Sequence, residues 1–544
     1  MKQRHARSSR HGVRSLALVA TALFAFTGCS SGTGLEFSPA AEVDEENVLH
    51  IAVGSDAGCA DPQQLILNDA VFSTRHLVDS LTDQDPETGE IVPWLATDWE
   101  VNDQATEFSF TLRPGVTFSN GEPVTSEVVK ANFERILEFG PRGNIARSYL
   151  ENYEDTEIVS DHEFVVKFSE PNAHFLQAAS THNLGLLASE SIELSDDERC
   201  QGVIGSGAFV LDSYRPNEGI NLVAREDYDW GSPLYENRSA PKISGVSFTV
   251  VQESGVRAGL LQSEQVDAIG SVAPQDIPAI EQTDATLHTL TVPGVPMSLR
   301  LNHGSPVIQE HAVREAISLA INREQVAEVV YPDGAPAATS ILSSTTPGHS
   351  DFCEELRYDP ERARGLLAEA GFTPGDDGIL VRDGERLELD FTWSAITATN
   401  SGSVELIQQQ LSEVGIAAEL DEGTPAQWTA KVAEGNYHLD WFNTTRSDAD
   451  ILRTVFDSRL ANTSHLPEGY HTDEALSLQA TTLDPEAREE AIHQAQKALI
   501  EDYTSIPVID HTNVMATSAE VSGLRFDSDR RIRLYDVTLN RGED

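Results

Sequence analysis

The residues best equipped for chemistry stand in one run, Asn443-Thr444-Thr445-Arg446-Ser447-Asp448-Ala449-Asp450. Asp448 and Asp450 offer carboxylates to a cation or an amine, and Arg446 offers a planar fork that can grip a carboxylate through two parallel hydrogen bonds. A short peptide or other zwitterion satisfies both signs, so it ranks above a neutral sugar or a bare metal ion. Asn443 and Thr445 add uncharged donors and acceptors, and Trp393 closes an earlier strand-like run from Leu387. Both places follow strands in a strand-helix-strand region, and open α/β sheets gather ligands at the C-terminal ends of their strands. Asp56, just past a first strand at Val48 to Val53, is the expected opposing group. The run also reads as a solvated polar loop closed by internal Asx turns.

Other chemistry is thin. Beyond residue 32 the sequence has no G-x-S-x-G elbow, and it has no Walker loop and no His-Glu-x-x-His, so it predicts no catalytic residue and no cofactor. A triad assembled in space needs no motif, which keeps an extracellular hydrolase open as a second reading. His465 and His471 are the nearest thing to a histidine pair in the second half, and no Cys or Cys/His spacing suggests a metal knuckle.

The elements that must position these groups span 544 residues, more than one hydrophobic core organises, so at least two lobes are expected. The formal net charge is −51, and residues 1–28 hold five basic side chains and no acidic one, so their removal leaves −56. That field repels phosphates, and nucleic acid is excluded as a partner. Lysine is scarce, six against 31 arginines, a surface that fits salt tolerance, simple solubility or codon bias alike.

Residues 1–28 read as an export signal: a basic stretch ending at Arg14, an apolar run from Leu16 to Phe26, then Thr27-Gly28-Cys29. The run is too short to stay in a bilayer as a spanning helix. The segment resembles the lipobox of bacterial lipoproteins, with Phe26 where leucine is usual, and the resemblance implies acylation of Cys29; a plain secretory signal with an incidental cysteine is the other reading. Residues 29–46, rich in Ser, Gly, Pro and acids, form a flexible tether. Export permits a disulfide, and Cys59, Cys200 and Cys353 leave one cysteine over.

Trp94 to Asn132 organises the rest. Glu107 to Leu112 alternates as a half-buried strand, Arg113-Pro114-Gly115 and Ser119-Asn120-Gly121 turn the chain, and Thr125 or Ser126 caps a helix bearing Val129, Phe133 and Ile136. This string resembles the signature of the family 5 solute-binding proteins of ABC importers, the dipeptide, oligopeptide and nickel binders. Further segments follow in that family's order: Gly205 to Phe209 (GSGAF), whose glycines are expected to serve a tight turn; Gln265 to Ile269; Met297 to Asn302; a long helix from Ile308 to Tyr331; and Tyr358 to Phe372, with Asp359 as N-cap. A helix is also expected from Val71 to Leu81, and a terminal strand from Arg531 to Leu539.

The resemblance implies a two-lobed α/β fold of the large peptide-binder type with a hinge of two chain crossings. Lobe I takes residues 47–290 plus 508–544, with Ile506 to Ile509 returning the chain to it, and lobe II takes 291–507. It favours a Cys59–Cys200 pair and places the Asn443–Asp450 loop at the cleft. Thr445 stands where peptide binders carry the aspartate that pairs with the ligand's amine, and Ser394 to Thr399 lack the dipeptide binder's arginine, so peptide is a class-level expectation. The implied protein is a monomeric, exported lipoprotein on the outer face of the cell membrane. It would capture peptides or a related small solute and deliver it to a membrane permease; a sensor built on the same fold is a further alternative.

Overall fold

The computed structural model of this chain describes residues 43–65, 68–331, 335–394 and 398–541. The export signal, Cys29 and most of the tether fall outside the described residues.

Among the described residues, seven strands form the first sheet, in the order Thr286–Thr291, Thr512–Thr517, Ala268–Ile269, Val48–Val53, Gly245–Val250, Gly219–Ala224, Phe209–Arg215. Val48–Val53 runs parallel to both its neighbours, and five of its six side chains are buried, as an apolar strand covered on both faces requires. The second sheet has the order Ala417–Gly423, Glu388–Ser394, Leu439–Thr445, Gly294–Leu301, Ser505–Ile509. Its first three strands are parallel and the last two antiparallel to their neighbours.

The chain passes between the sheets twice. Thr286–Thr291 leads through Val292 and Pro293 into Gly294–Leu301, and Ser505–Ile509 leads through Asp510 and His511 into Thr512–Thr517. The crossings lie side by side, with Val292 N–H donating to the His511 carbonyl at 2.8 Å. Gly294 has φ +114°, and a Cβ there would sit 2.1 Å from the Thr444 carbonyl oxygen, so only glycine fits where the hinge meets the second sheet. The return therefore runs through Thr512–Thr517: Ile506 to Ile509 belong to the second sheet, because Met297 pairs with Ile509.

A four-stranded antiparallel unit, Ala96–Val101, Glu107–Leu112, Glu163–Phe168 and Tyr153–Ser160 in spatial order, attaches to the first lobe. Phe108, Phe110 and Leu112 are buried on one face, and both phenylalanines meet Phe175 edge-on. Thr125 caps the Ser126–Leu137 helix, its hydroxyl accepting from Val128 N–H. Asp359 caps Pro360–Glu369 in the same way, through Arg362 N–H at 2.9 Å.

Three expected elements come out differently. The helix expected over Ile308 to Tyr331 is two, His311–Ala320 and Arg323–Val330, because Ile321 is extended and Asn322 caps a new start through Gln325 N–H. The helix from Val71 covers Asn68–Thr74 and tightens into a 3₁₀ turn at Arg75–Leu77. The terminal strand is two short pieces, Ile532–Arg533 and Thr538–Leu539, each in its own small hairpin. The glycines of Gly205 to Phe209 serve a close approach: a Cβ on Gly205 would lie 1.8 Å from the Leu77 carbonyl oxygen, and one on Gly207 2.3 Å from that of His76. Beside this contact Cys59 and Cys200 are joined by a disulfide, leaving Cys353 exposed and free.

Candidate functional site

The parallel strands of the second sheet end at Ser394, Gly423 and Thr445, and Thr445 pairs with Gly294, one residue beyond the first crossing. Their C-terminal ends therefore lie at the hinge, where a solute between the lobes would meet them. Asn443 and Thr445 are half-buried on this edge. Trp393 is not a cleft side chain. It shares a face with Leu389 and Phe391 in the second lobe's apolar core, 5% exposed, with its ring 6.4 Å from that of Phe391 and its Nε1 without a hydrogen-bond partner.

The first sheet's C-terminal edge is organised by Asp69, which accepts from Gly54 N–H at 2.9 Å, Ser55 N–H at 3.0 Å and the Ser271 hydroxyl at 2.8 Å. Asp56 turns toward its own lobe: it accepts from the Tyr214 hydroxyl at 2.8 Å and Asn217 N–H at 2.7 Å. It lines a small hollow with Asp69, Ser73 and Tyr214 and does not face the Asn443–Asp450 loop as expected.

The charges of that loop are neither solvated nor left for a ligand, a correction to the reading of Arg446, Asp448 and Asp450 as its hands. Arg446, Asp448 and Asp450 are 2%, 7% and 0% exposed, and each is held by protein partners. Asp450 accepts from Arg453 Nε at 2.8 Å and Gln479 Nε2 at 2.9 Å, and Arg446 Nη1 lies 3.4 Å away. Asp448 takes Arg488 Nη2 at 2.8 Å and the Asp450 N–H at 2.8 Å, so an Asx turn is present but buried. Burial would raise both carboxyls, yet the polar surroundings win: the His174 ring, Arg453 and Arg446 hold Asp450 well below the usual carboxylate range, and Arg488 and Arg446 lower Asp448.

The loop also reaches the first lobe. The Arg446 guanidinium lies over the Tyr149 ring at 4.4 Å, and Arg453 Nη1 bonds Glu151 at 2.6 Å. Ser447 N–H donates to Asp529 at 2.9 Å, while the Ser447 hydroxyl donates to Gln84 Oε1 at 2.8 Å and accepts from Gln177 Nε2 at 3.1 Å. His174 Nε2 lies 3.4 Å from Asp450, and burial pushes the imidazole down to about 3. Sequence reasoning missed Gln84, Tyr149, His174, Gln177 and Asp529; no local pattern marks them, because their partners are remote in the chain.

His465 and His471 do not meet: His465 Nε2 bonds the Val432 carbonyl, and His471 Nε2 lies 3.4 Å from Asp502. Among the described residues no group of three or more His, Cys, Asp or Glu is placed to hold a metal ion.

Residues 90–457 match the profile of the bacterial extracellular solute-binding proteins, family 5 Middle. The chain belongs to that family. It is 25% identical over 367 residues to the nickel-binding periplasmic protein of Escherichia coli (strain K12), covering 65% of this chain and 68% of that one. It is 27% identical over 538 residues to Protein XP55 of Streptomyces lividans, covering 95% and 94%. Among solved structures it resembles the dipeptide binding protein from Pseudoalteromonas sp. SM9913 in complex with Met-Leu, with TM-score 0.78, 19% identity and 90% and 100% coverage. It also resembles NikA from Brucella suis in complex with Fe(III)-EDTA, with TM-score 0.77, 21% identity and 90% and 99% coverage. This family 5 member is thus a two-lobed, extracytoplasmic solute-binding protein of an ABC importer and not an enzyme; the comparisons give the hydrolase reading no support.

Proposed function

We propose that this protein, tethered outside the cell by an acylated Cys29, closes two lobes on a peptide or a related small polar solute and delivers it to a membrane permease. Lobe I is residues 47–291 with 512–544, lobe II is 294–509, and the working form is a monomer. The observation that carries the reading is the paired crossing at Val292–Pro293 and Asp510–His511, because two adjacent strands joining two sheets allow rotation of one lobe on the other. The uncharged Asn443 and Thr445, half-buried at the hinge edge, remain the candidates to touch the solute. Two of the relatives named above are a nickel-binding and a dipeptide binding protein, and these ligands are the first probes.

The test is small-angle scattering of the mature chain with Met-Leu or with a nickel–histidine complex, beside native mass spectrometry of protein purified from its own host. Compaction with one probe, or a co-purified small solute, supports the reading. No compaction and no bound mass would overturn it. Palmitate labelling that persists in Cys29→Ser would overturn the anchor alone.

A further inference from the structure

We propose that the loop from Arg446 to Arg453 is a latch, whose contacts with the first lobe favour closure independently of any solute. The inference rests on the hinged reading above and adds to it a source of closing free energy within the protein. From the loop, Ser447 meets Asp529, Gln84, Gln177 and Ser528, Asp450 meets His174, Arg446 lies over the Tyr149 ring and Arg453 bonds Glu151, all in the other lobe.

Reversibility follows from how charge is shared. When the lobes part, Asp450 keeps Arg446, Arg453 and Gln479, and Asp448 keeps Arg488, all in the second lobe. On the opposite side Asp529 keeps Arg531 Nη1 at 2.7 Å. Each half is therefore electrostatically self-sufficient, and opening strands no buried charge in an apolar setting. What opening gives up is the Ser447 hydrogen bonds, one of them to the Asp529 carboxylate, the His174–Asp450 contact, one ring stacking and one ion pair, Arg453 to Glu151, whose carboxylate side chain is already 30% exposed and readily hydrated. A permanent interface would have no need of such duplication.

The experiment is a pulsed electron-resonance distance measurement on the solute-free mature chain in a Cys353→Ser background, which leaves the Cys59–Cys200 bond intact. Spin labels go on the exposed positions Glu100→Cys and Glu413→Cys, one per lobe. The parent should show a short distance beside a long one, which leaves a solute room to complete the closure. The combination Gln84→Ala, Gln177→Ala and Glu151→Gln should lower the closed-to-open ratio by about tenfold or more, since several hydrogen bonds are lost together. Tyr149→Phe, which keeps the ring under Arg446, should leave the ratio unchanged, and an unaltered melting temperature shows that the lobes stay folded. A parent with no short distance, or one distribution shared by parent and triple variant, overturns the latch. Solute-driven compaction in scattering is read separately, so failure of the latch and failure of the binding-protein reading are distinguishable.

Discussion

Two buried networks of arginine and aspartate differ in where their partners come from. In the first lobe, Arg75 and Arg533 both lie against the Trp94 ring, at 5.2 and 5.5 Å, and Arg533 faces Asp83 at 3.6 Å and Asp527 at 3.5 Å. Every member sits on one side of the hinge, and no movement of the lobes hydrates it. Around Arg446 to Arg453 the arginine–aspartate pairs also stay on one side, but Arg446, Ser447 and Arg453 take further partners across the lobes. Burying charge is costly in both places, but only in the first does losing one partner leave its aspartates with no route to water. Identical chemistry thus acts as fixed scaffolding in one region and as a separable contact in the other.

The comparison breaks most sharply on Arg533→Ala. Asp83 and Asp527 would then lose the guanidinium that faces both, and the loss should be about 3–5 kcal/mol, read as a lower urea midpoint. Glu151→Gln across the lobes should cost under about 1 kcal/mol in the same measurement. Equal losses would erase the distinction.

Next comes the covalent tie within the first lobe. Cys59→Ser with Cys200→Ser opens a loop of sequence separation 141 and should cost about 2–4 kcal/mol in the urea midpoint. It should leave the distance between spin labels on the two lobes unchanged; a shifted distance would tie the disulfide to the interface instead.

The smallest effect is on pH. The His174 imidazole falls from an ordinary 6.5 to about 3 when buried beside Asp450, Arg446, Arg453 and Asp448. A depressed histidine contributes stability that is complete above about pH 6.5 and is lost as the pH falls toward 3. Asp448 and Asp450, also held low, add to the loss only below the usual carboxylate range. His174→Gln should therefore flatten the decline in thermal stability between about pH 6.5 and 4, and identical slopes would rule out the assignment. His76 and His182, lowered by burial as well, keep some slope in the variant.

Legibility in the sequence followed the range of the interaction. The Thr125 and Asp359 caps and the alternating Glu107–Leu112 strand are decided by neighbours a few residues away, and they stand where the pattern puts them. The break at Ile321 was also local, since Asn322 is a good N-cap, but the run of apolar residues through it masked the signal. Gly205 and Gly207 carried a true mark of close backbone approach, yet their partner, residues 76 and 77, lies far back in the chain. The loop at Asn443 reads as polar in the sequence, but its charged members Arg446, Asp448 and Asp450 are held by the protein itself. Gln84 is 363 residues from Ser447 and Glu151 is 302 from Arg453, and charge type alone does not tell an internal partner from an external one.

The two sheets also differ in when their strands become available. Every strand of the second sheet lies in one continuous stretch, residues 294–509, whereas the first sheet needs Thr512–Thr517 to fill the slot between Thr286–Thr291 and Ala268–Ile269. On a chain emerging N-terminus first, the lobe that begins earlier is completed later. Until that strand arrives, two unpaired edges stand open to any extended segment, so a product truncated before Thr512 exposes a template for strand addition where the full chain has none.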